Sequence, residues 1–271
     1  MRSPLIPFAL PALLMTSPLA AAPSPYPFSA AVQAGDMLYL SGQIGVAPDT
    51  GRLVAGGVAA ETRQAMANIG ATLRQHQLDY RHLVKCMIML TDMAQWPELN
   101  RVYAAYFPDG QYPARSAIGA SALALGAQVE IECMARVPHK PESVASGRSL
   151  GPYSQAVRSG GTVYLSGVVP YDAEAGRFAS PDIESQMRQL FANLDATLGA
   201  AGLTRSDVVK TTLFLRNPGD MARANAAYAD YFSAALKPAR TAVSGVDWGR
   251  DDLIVEMDAV AVAGGHEGAG R

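Results

Sequence analysis

The feature that most constrains this chain is that it says the same thing twice. Met37-Leu-Tyr-Leu-Ser-Gly42 corresponds to Thr162-Val-Tyr-Leu-Ser-Gly167, and Ala67-Asn-Ile-Gly-Ala-Thr-Leu73 to Ala192-Asn-Leu-Asp-Ala-Thr-Leu198. Val84-Lys85 matches Val209-Lys210, Asn100 and Tyr103 match Asn225 and Tyr228, and Pro113-Ala-Arg115 matches Pro238-Ala-Arg240. The offset is 125 residues throughout and slips by one only where Val129-Glu130 meets Val255-Glu256. A register held over about a hundred residues is a duplicated domain, not a short solenoid period.

Each copy is about 115 residues, the usual size of one compact domain, and buries enough surface to fold without metal or bridge. The boundaries expected are a leader over 1–22, repeat 1 over 23–138, a linker over 139–149, repeat 2 over 150–264 and a tail over 265–271. Arg2, an apolar run from Leu5 to Leu14 and Leu19-Ala-Ala-Ala22 before Pro23 read as an export signal, too short to span a bilayer. The expectation is an exported, periplasmic protein free of the membrane after cleavage, the alternative a cytoplasmic one. The net charge of −2 argues against nucleic acid as the principal ligand, since its binders carry a basic stripe. Cys86 and Cys133 could pair in an oxidising compartment. Repeat 2 has Thr211 and Ala259 at those places, however, so two buried, inert thiols are expected.

Hydrophobic periodicity gives the elements. Ile183, Met187, Leu190, Phe191, Leu194 and Leu198 recur at helical spacing, as do Val58, Thr62, Met66, Ile69 and Leu73. Val208 to Leu215 reads as a buried strand, a second helix carries Met221, Asn225, Tyr228 and Phe232, and Leu253 to Val262 closes the unit. The order is hairpin, helix, strand, helix, strand, strand. It predicts a two-layer α+β fold, with helices on one face of a mixed β-sheet. The other face, half polar, is expected to be covered by another subunit, so a homo-oligomer follows.

The sequence has no Gly-rich phosphate loop, no clustered metal-ligand spacing and no Gly-x-Ser-x-Gly elbow. Of four histidines, His139 and His266 fall in linker and tail, and His76 and His82 have no counterpart in repeat 2. No cofactor and no metal are therefore expected. What recurs is an arginine after a proline and a glutamate inside an apolar strand. Arg115 and Arg240 follow Pro-Ala, which stiffens the backbone just before them and suits a bidentate grip on a small carboxylate. An ion pair within its own domain is the structural alternative. Glu130 and Glu132 alternate onto one strand face, as do Glu256 and Asp258; a solvated face with cross-strand partners is the alternative to proton chemistry.

Leu150-Gly-Pro-Tyr-Ser-Gln-Ala156, the Tyr-Leu-Ser-Gly strand, Val209-Lys-Thr-Thr-Leu-Phe-Leu215, Asn225-x-x-Tyr228, Pro238-Ala-Arg240 and Val255-Glu256 together resemble the RidA/YjgF family. These are the reactive intermediate deaminases, also labelled L-PSP endoribonucleases. The resemblance covers both repeats. It implies a chorismate-mutase-like fold, a trimeric or pseudo-trimeric barrel, clefts between neighbouring domains, and hydrolysis of 2-imino or 2-enamino acids such as 2-aminoacrylate to 2-oxo acids and ammonia. It further implies that Arg115 and Arg240 bind the substrate carboxylate and that Glu130 and Glu256 act as general bases. Ser41, Ser166 and Tyr153 map onto the family's pocket, with Gln43, Phe28, Asn100 and Asn225 completing the expected substrate-binding set. Phe28 stands where repeat 2 has Tyr153, and Val168 where repeat 1 has Gln43. Ala117 and Ala242 occupy the position where many members carry Cys, which excludes thiol chemistry there. A non-catalytic module for small carboxylates and an endoribonuclease remain the alternative functions.

Overall fold

The structure is a computed structural model that describes residues 27–144, 149–232 and 237–265. The expected leader over 1–22 and His266 lie outside the described residues. Among the described residues no helix is long and apolar enough to cross a membrane.

In the first repeat, β1 (Ala31–Ala34) and β2 (Met37–Leu40) form a hairpin, followed by α1 (Gly57–Gln75), β3 (Leu83–Leu90), α2 (Trp96–Ala104), β4 (Ala114–Gly119) and β5 (Val129–Arg136). The sheet runs β1-β2-β5-β3-β4, antiparallel except for the parallel pair β3 and β4, with Gln43–Ile44 added against β5. The second repeat opens with β6 (Glu142–Val144), β7 (Ala156–Ser159) and β8 (Thr162–Leu165). It continues through α3 (Ile183–Ala200), β9 (Val208–Leu215), α4 (Met221–Tyr231), β10 (Ala239–Ser244) and β11 (Val255–Val262). Its sheet runs β10-β9-β11-β8-β7-β6, with β9 and β10 parallel. Part of the segment expected to be linker is therefore strand: β6 pairs with β7 and extends the second sheet. Three residues between prolines and glycines carry too weak an alternation to announce it.

The helices cover one face of each sheet. The stripe Ile183, Met187, Leu190, Phe191, Leu194 and Leu198 is buried against β8, β9 and β11, each side chain contributing roughly 1.5–3 kcal/mol. Asp182 starts α3 by accepting the Ser185 amide at 2.8 Å. The helix stops where Gly202 turns left-handed and Leu203 N–H reaches back to the Leu198 carbonyl. Gln77 holds the same left-handed conformation at the end of α1 and Leu78 makes the same return bond to Leu73, so the turn is retained without its glycine.

Cys86 and Cys133 form a disulfide, contrary to the expectation of free thiols. The two residues stand directly opposite each other in the antiparallel register of β3 and β5, with both side chains in the helix-facing core. Separated by 47 residues in sequence, they give no local sign of this opposition.

The other sheet faces meet each other. Met37, Val84 and Ala114 of the first repeat pack with Val157 of the second. Beside them, Lys85 forms an ion pair with Asp258 at 2.9 Å and donates to the Leu165 carbonyl at 3.0 Å, while Ser116 bonds the same carboxylate. The solvated face that was the alternative for Glu256 and Asp258 is thus buried in repeat 2, whereas Glu132 of repeat 1 is exposed. Equivalent strands now differ. β4 is buried beneath the second repeat, while its twin β10 is exposed along nearly its whole length. Conversely, Val32 and Tyr39 on β1 and β2 are exposed where Val157 is buried.

Closing a loop of this length removes chain entropy from the unfolded state, so reduction should destabilise the first repeat by about 2–4 kcal/mol. Urea unfolding with and without reductant measures this, and a Cys86→Ala/Cys133→Ala variant should be insensitive to reductant. Identical curves for the parent protein would mean that the thiols are unpaired.

Candidate active site between the repeats

Arg115 sits where the two repeats are stitched together. Its amide donates to Ser166 Oγ at 2.7 Å, its carbonyl accepts from the Gly167 amide at 3.2 Å, and Pro113 just before it accepts from the Ser154 amide at 3.2 Å. Ser166 Oγ in turn donates to the Ser154 carbonyl. The Ser-Gly motif of repeat 2 therefore fixes the backbone of the arginine of repeat 1.

The Arg115 side chain is 2% exposed and its guanidinium faces three aromatic rings. The carbon Cζ lies 4.5 Å from the Trp96 ring centroid, 4.9 Å from that of Tyr103 and 5.5 Å from that of Tyr153. Ring quadrupoles offset part of the cost of burying a cation. They do not occupy its N–H groups, and Nη1 and Nη2 are both buried without a hydrogen-bond partner. Asn100 Oδ1 and the Tyr103 hydroxyl, equally buried, are also unpartnered. Asn100 Nδ2 and Arg115 Nη2 both face Gly151, 3.6 and 3.1 Å from where its Cβ would stand. Burial pulls the Arg115 guanidinium down to about 10, leaving it cationic at neutral pH.

Glu256 lines the same cavity from β11 and is 4% exposed. Its carboxylate accepts from Trp248 Nε1 at 2.8 Å. Burial, helped by the neighbouring charge of Asp258, pushes it up to about 8 despite Trp248, Lys85 and Arg115 acting the other way. At neutral pH this carboxyl keeps its proton. Gly167 runs so close that an added Cβ would lie 1.9 Å from Glu256 Oε1, and Gly42 stands likewise 2.0 Å from Glu130 Oε1. The glycine of each Ser-Gly motif is thus the room that a glutamate needs. Tyr153 completes the wall, its hydroxyl accepting from the Leu150 amide at 3.2 Å. Among the described residues no group of three His, Cys, Asp or Glu side chains is placed to hold a metal ion.

The sequence-predicted residues therefore divide. Arg115, Asn100, Tyr153, Ser166 and Glu256 come together, the first two from repeat 1 and the rest from repeat 2. Arg115 meets Glu256, not the Glu130 of its own repeat. Arg240 lies on exposed β10, donates to Asn225 Oδ1 at 2.8 Å and stacks over Tyr228 at 4.7 Å. Glu130 lies on β5, outside the lining of this cleft and partly buried, its carboxyl raised by burial and by Glu132. Near it Ser41 Oγ donates to the Ser29 carbonyl at 2.7 Å, Gln43 Nε2 to the Ser41 and Gly42 carbonyls, and Phe28 is exposed. Sequence reasoning missed Trp96 and Trp248, although they are the two tryptophans of the chain and both line the cleft.

Fold and cleft define a duplicated α+β protein with a cavity lined by residues of both halves. The sequence profile of the Ribonuc_L-PSP family, described as endoribonuclease L-PSP, matches residues 19–137 and again 145–263. The chain belongs to this family, as two tandem domains. A RutC family protein of Pyrococcus horikoshii is 40% identical over 114 residues, which is 42% of this chain and 89% of that protein. The 2-iminobutanoate/2-iminopropanoate deaminase of Mus musculus is 42% identical over 109 residues, 40% of this chain and 80% of that enzyme. Among solved structures, the YjgF gene product of E. coli aligns with a TM-score of 0.41 and 34% identity, over 45% of this chain and 98% of that one.

Arg115→Ala should abolish saturable binding of a small carboxylate such as pyruvate in this cleft, while Arg240→Ala leaves a strong site in place. Titration calorimetry on both variants checks this; equal losses would contradict the asymmetry. Gly167→Ala should displace the Glu256 carboxyl and lower any activity by roughly 100-fold, the scale of losing a positioned proton carrier.

Proposed function

We propose that this protein hydrolyses 2-imino and 2-enamino acids of the 2-aminoacrylate type to 2-oxo acids and ammonia, in the cleft between Arg115 and Glu256 and without a cofactor. One observation carries the reading: a buried guanidinium with two unpaired N–H-bearing nitrogens shares a cavity with the buried carboxyl of Glu256, which burial pushes up to about 8. An unpaired buried cation is costly, and a carboxylate ligand offsets that cost through two charge-assisted hydrogen bonds. The name of the mouse relative, a deaminase of 2-iminobutanoate and 2-iminopropanoate, supports the same chemistry.

The reaction needs one proton carrier. With the substrate carboxylate on Arg115, Glu256 gives its proton to the imine nitrogen and makes the carbon electrophilic; an enamine takes that proton at its terminal carbon and reaches the same iminium. Water then attacks the carbon, the C=N electron pair moves to nitrogen, and the carboxylate takes the proton released by the water. In the last step Glu256 protonates the amine, the C–N bond breaks as the hydroxyl oxygen forms C=O, and the hydroxyl proton returns to the carboxylate. Glu256 begins the cycle as acid, not as the base that the resemblance alone implies.

The non-catalytic alternative would use Arg115 and leave the protonated Glu256 without a task. An RNA-cleaving reading lacks a basic stripe in a chain of net charge −2. The Cys86–Cys133 bridge accords with an oxidising compartment and supports an exported protein. The exposed face around Arg240 and the exposed face around Phe28, Val32 and Tyr39 are counterparts of the two surfaces joined inside the chain. This supports head-to-tail association of copies.

The sign of the pH dependence follows from the raised carboxyl. Below about pH 8 Glu256 carries the proton that starts the reaction; above it the carboxylate has none to give. The kcat/KM for 2-iminopropanoate generated in situ should therefore fall as pH rises through about 8, and Glu256→Gln should lower it by about 10²–10⁴. A flat profile from pH 6 to 9 with an active Glu256→Gln variant would overturn the assignment.

A further inference from the structure

The cavity is much larger than its polar end requires. It measures about 430 Å³, within the range of clefts that enclose drug-sized ligands. A three-carbon imino acid held by Arg115 and Glu256 would leave most of it unfilled. Beyond those two groups the wall is formed by Met93, Trp96, Leu150, Val169, Phe178 and Trp248. The remaining charged side chain of the lining, Arg250, is committed elsewhere. It is held on Asp252 by contacts of 2.6 and 2.8 Å and lies flat over the Phe178 ring at 4.1 Å. At the repeat offset of 125 residues, Phe178 and Trp248 stand where the first repeat has Leu53 and Leu123. Aromatic rings are thus placed in the repeat whose glutamate faces this cleft.

Resting on the deaminase reading above, we propose that the cleft is built for 2-imino acids with a bulky apolar side chain, branched aliphatic or aromatic, in preference to the three-carbon imine. Trp248 links side-chain recognition to proton transfer. Its Nε1–H holds Glu256 while its ring packs with Phe178, Phe214, Val246 and Leu253. A side chain against that ring completes an apolar enclosure around the reacting carbon and excludes loose water. A methyl group does not reach far enough to do so. Each added methylene in an apolar pocket favours its substrate by about 10-fold or more.

The test uses the full chain and two parallel readouts. In the first, imines are generated in situ by an amino-acid oxidase from alanine, leucine and phenylalanine, and kcat/KM is followed by 2-oxo acid release. In the second, binding of pyruvate, 4-methyl-2-oxopentanoate and phenylpyruvate is measured by calorimetry. The leucine- and phenylalanine-derived imines should be favoured over the alanine-derived one by about 10-fold or more, with the oxo acids following the same order. Val169→Trp, which fills the apolar end, should erase most of that preference; its thermal melt shows whether it is folded. Turnover of all imines with equal efficiency, or a preference for the smallest, would overturn this inference and leave the deaminase reading standing. Preferential binding of the bulky oxo acids without hydrolysis of any imine would overturn the deaminase reading and leave the selectivity of the cleft intact.

Discussion

The whole site depends on the backbone of one residue being bonded across a domain boundary. The Arg115 amide donates to Ser166 and its carbonyl accepts from Gly167, so the guanidinium is aimed by the segment that follows β8 of the other repeat. Because both backbone groups are satisfied, the chain can bury a cation here without stranding peptide dipoles. The side chain is then left with rings on its flanks and with Nη1 and Nη2 buried and unpartnered.

Around that constraint the Glu256 carboxyl acquires its character. Glu256 is burdened by burial and by Asp258, and Asp258 is itself held by Lys85 from the first repeat. The charge of Asp258 raises the Glu256 carboxyl two residues away, while the Lys85 ammonium acts the other way. The ion pair that helps seat the repeats against each other therefore also influences the proton on Glu256. Removing one partner of such a buried pair costs about 3–5 kcal/mol, more than an isolated surface contact could.

Much of this was legible in the linear sequence. The helical stripes from Ile183 to Leu198 and from Val58 to Leu73 are the buried faces, and Val208–Leu215 is a strand with those ends. The Pro-Ala-Arg and Val-Glu motifs lie in the cleft for Arg115 and Glu256. What the sequence could not convey is which copy faces which. Equivalent residues carry equal signals in a repeat, yet Arg115 is buried and Arg240 exposed because only β4 is covered. The disulfide was illegible for a related reason, since cross-strand register is a long-range property. Trp96 and Trp248 were missed because neither recurs in the other repeat, where Met221 and Leu123 stand at the 125-residue offset.

Duplication has a consequence for how such a cleft can change over time. In a protein assembled from identical units, any substitution is copied into every cleft and onto both of its walls. Here Arg115 comes from one half and Glu256 from the other, so a substitution at a position such as Trp248 enters one wall alone. The two halves can drift apart: one keeps its arginine, while the other is free to change shape opposite it.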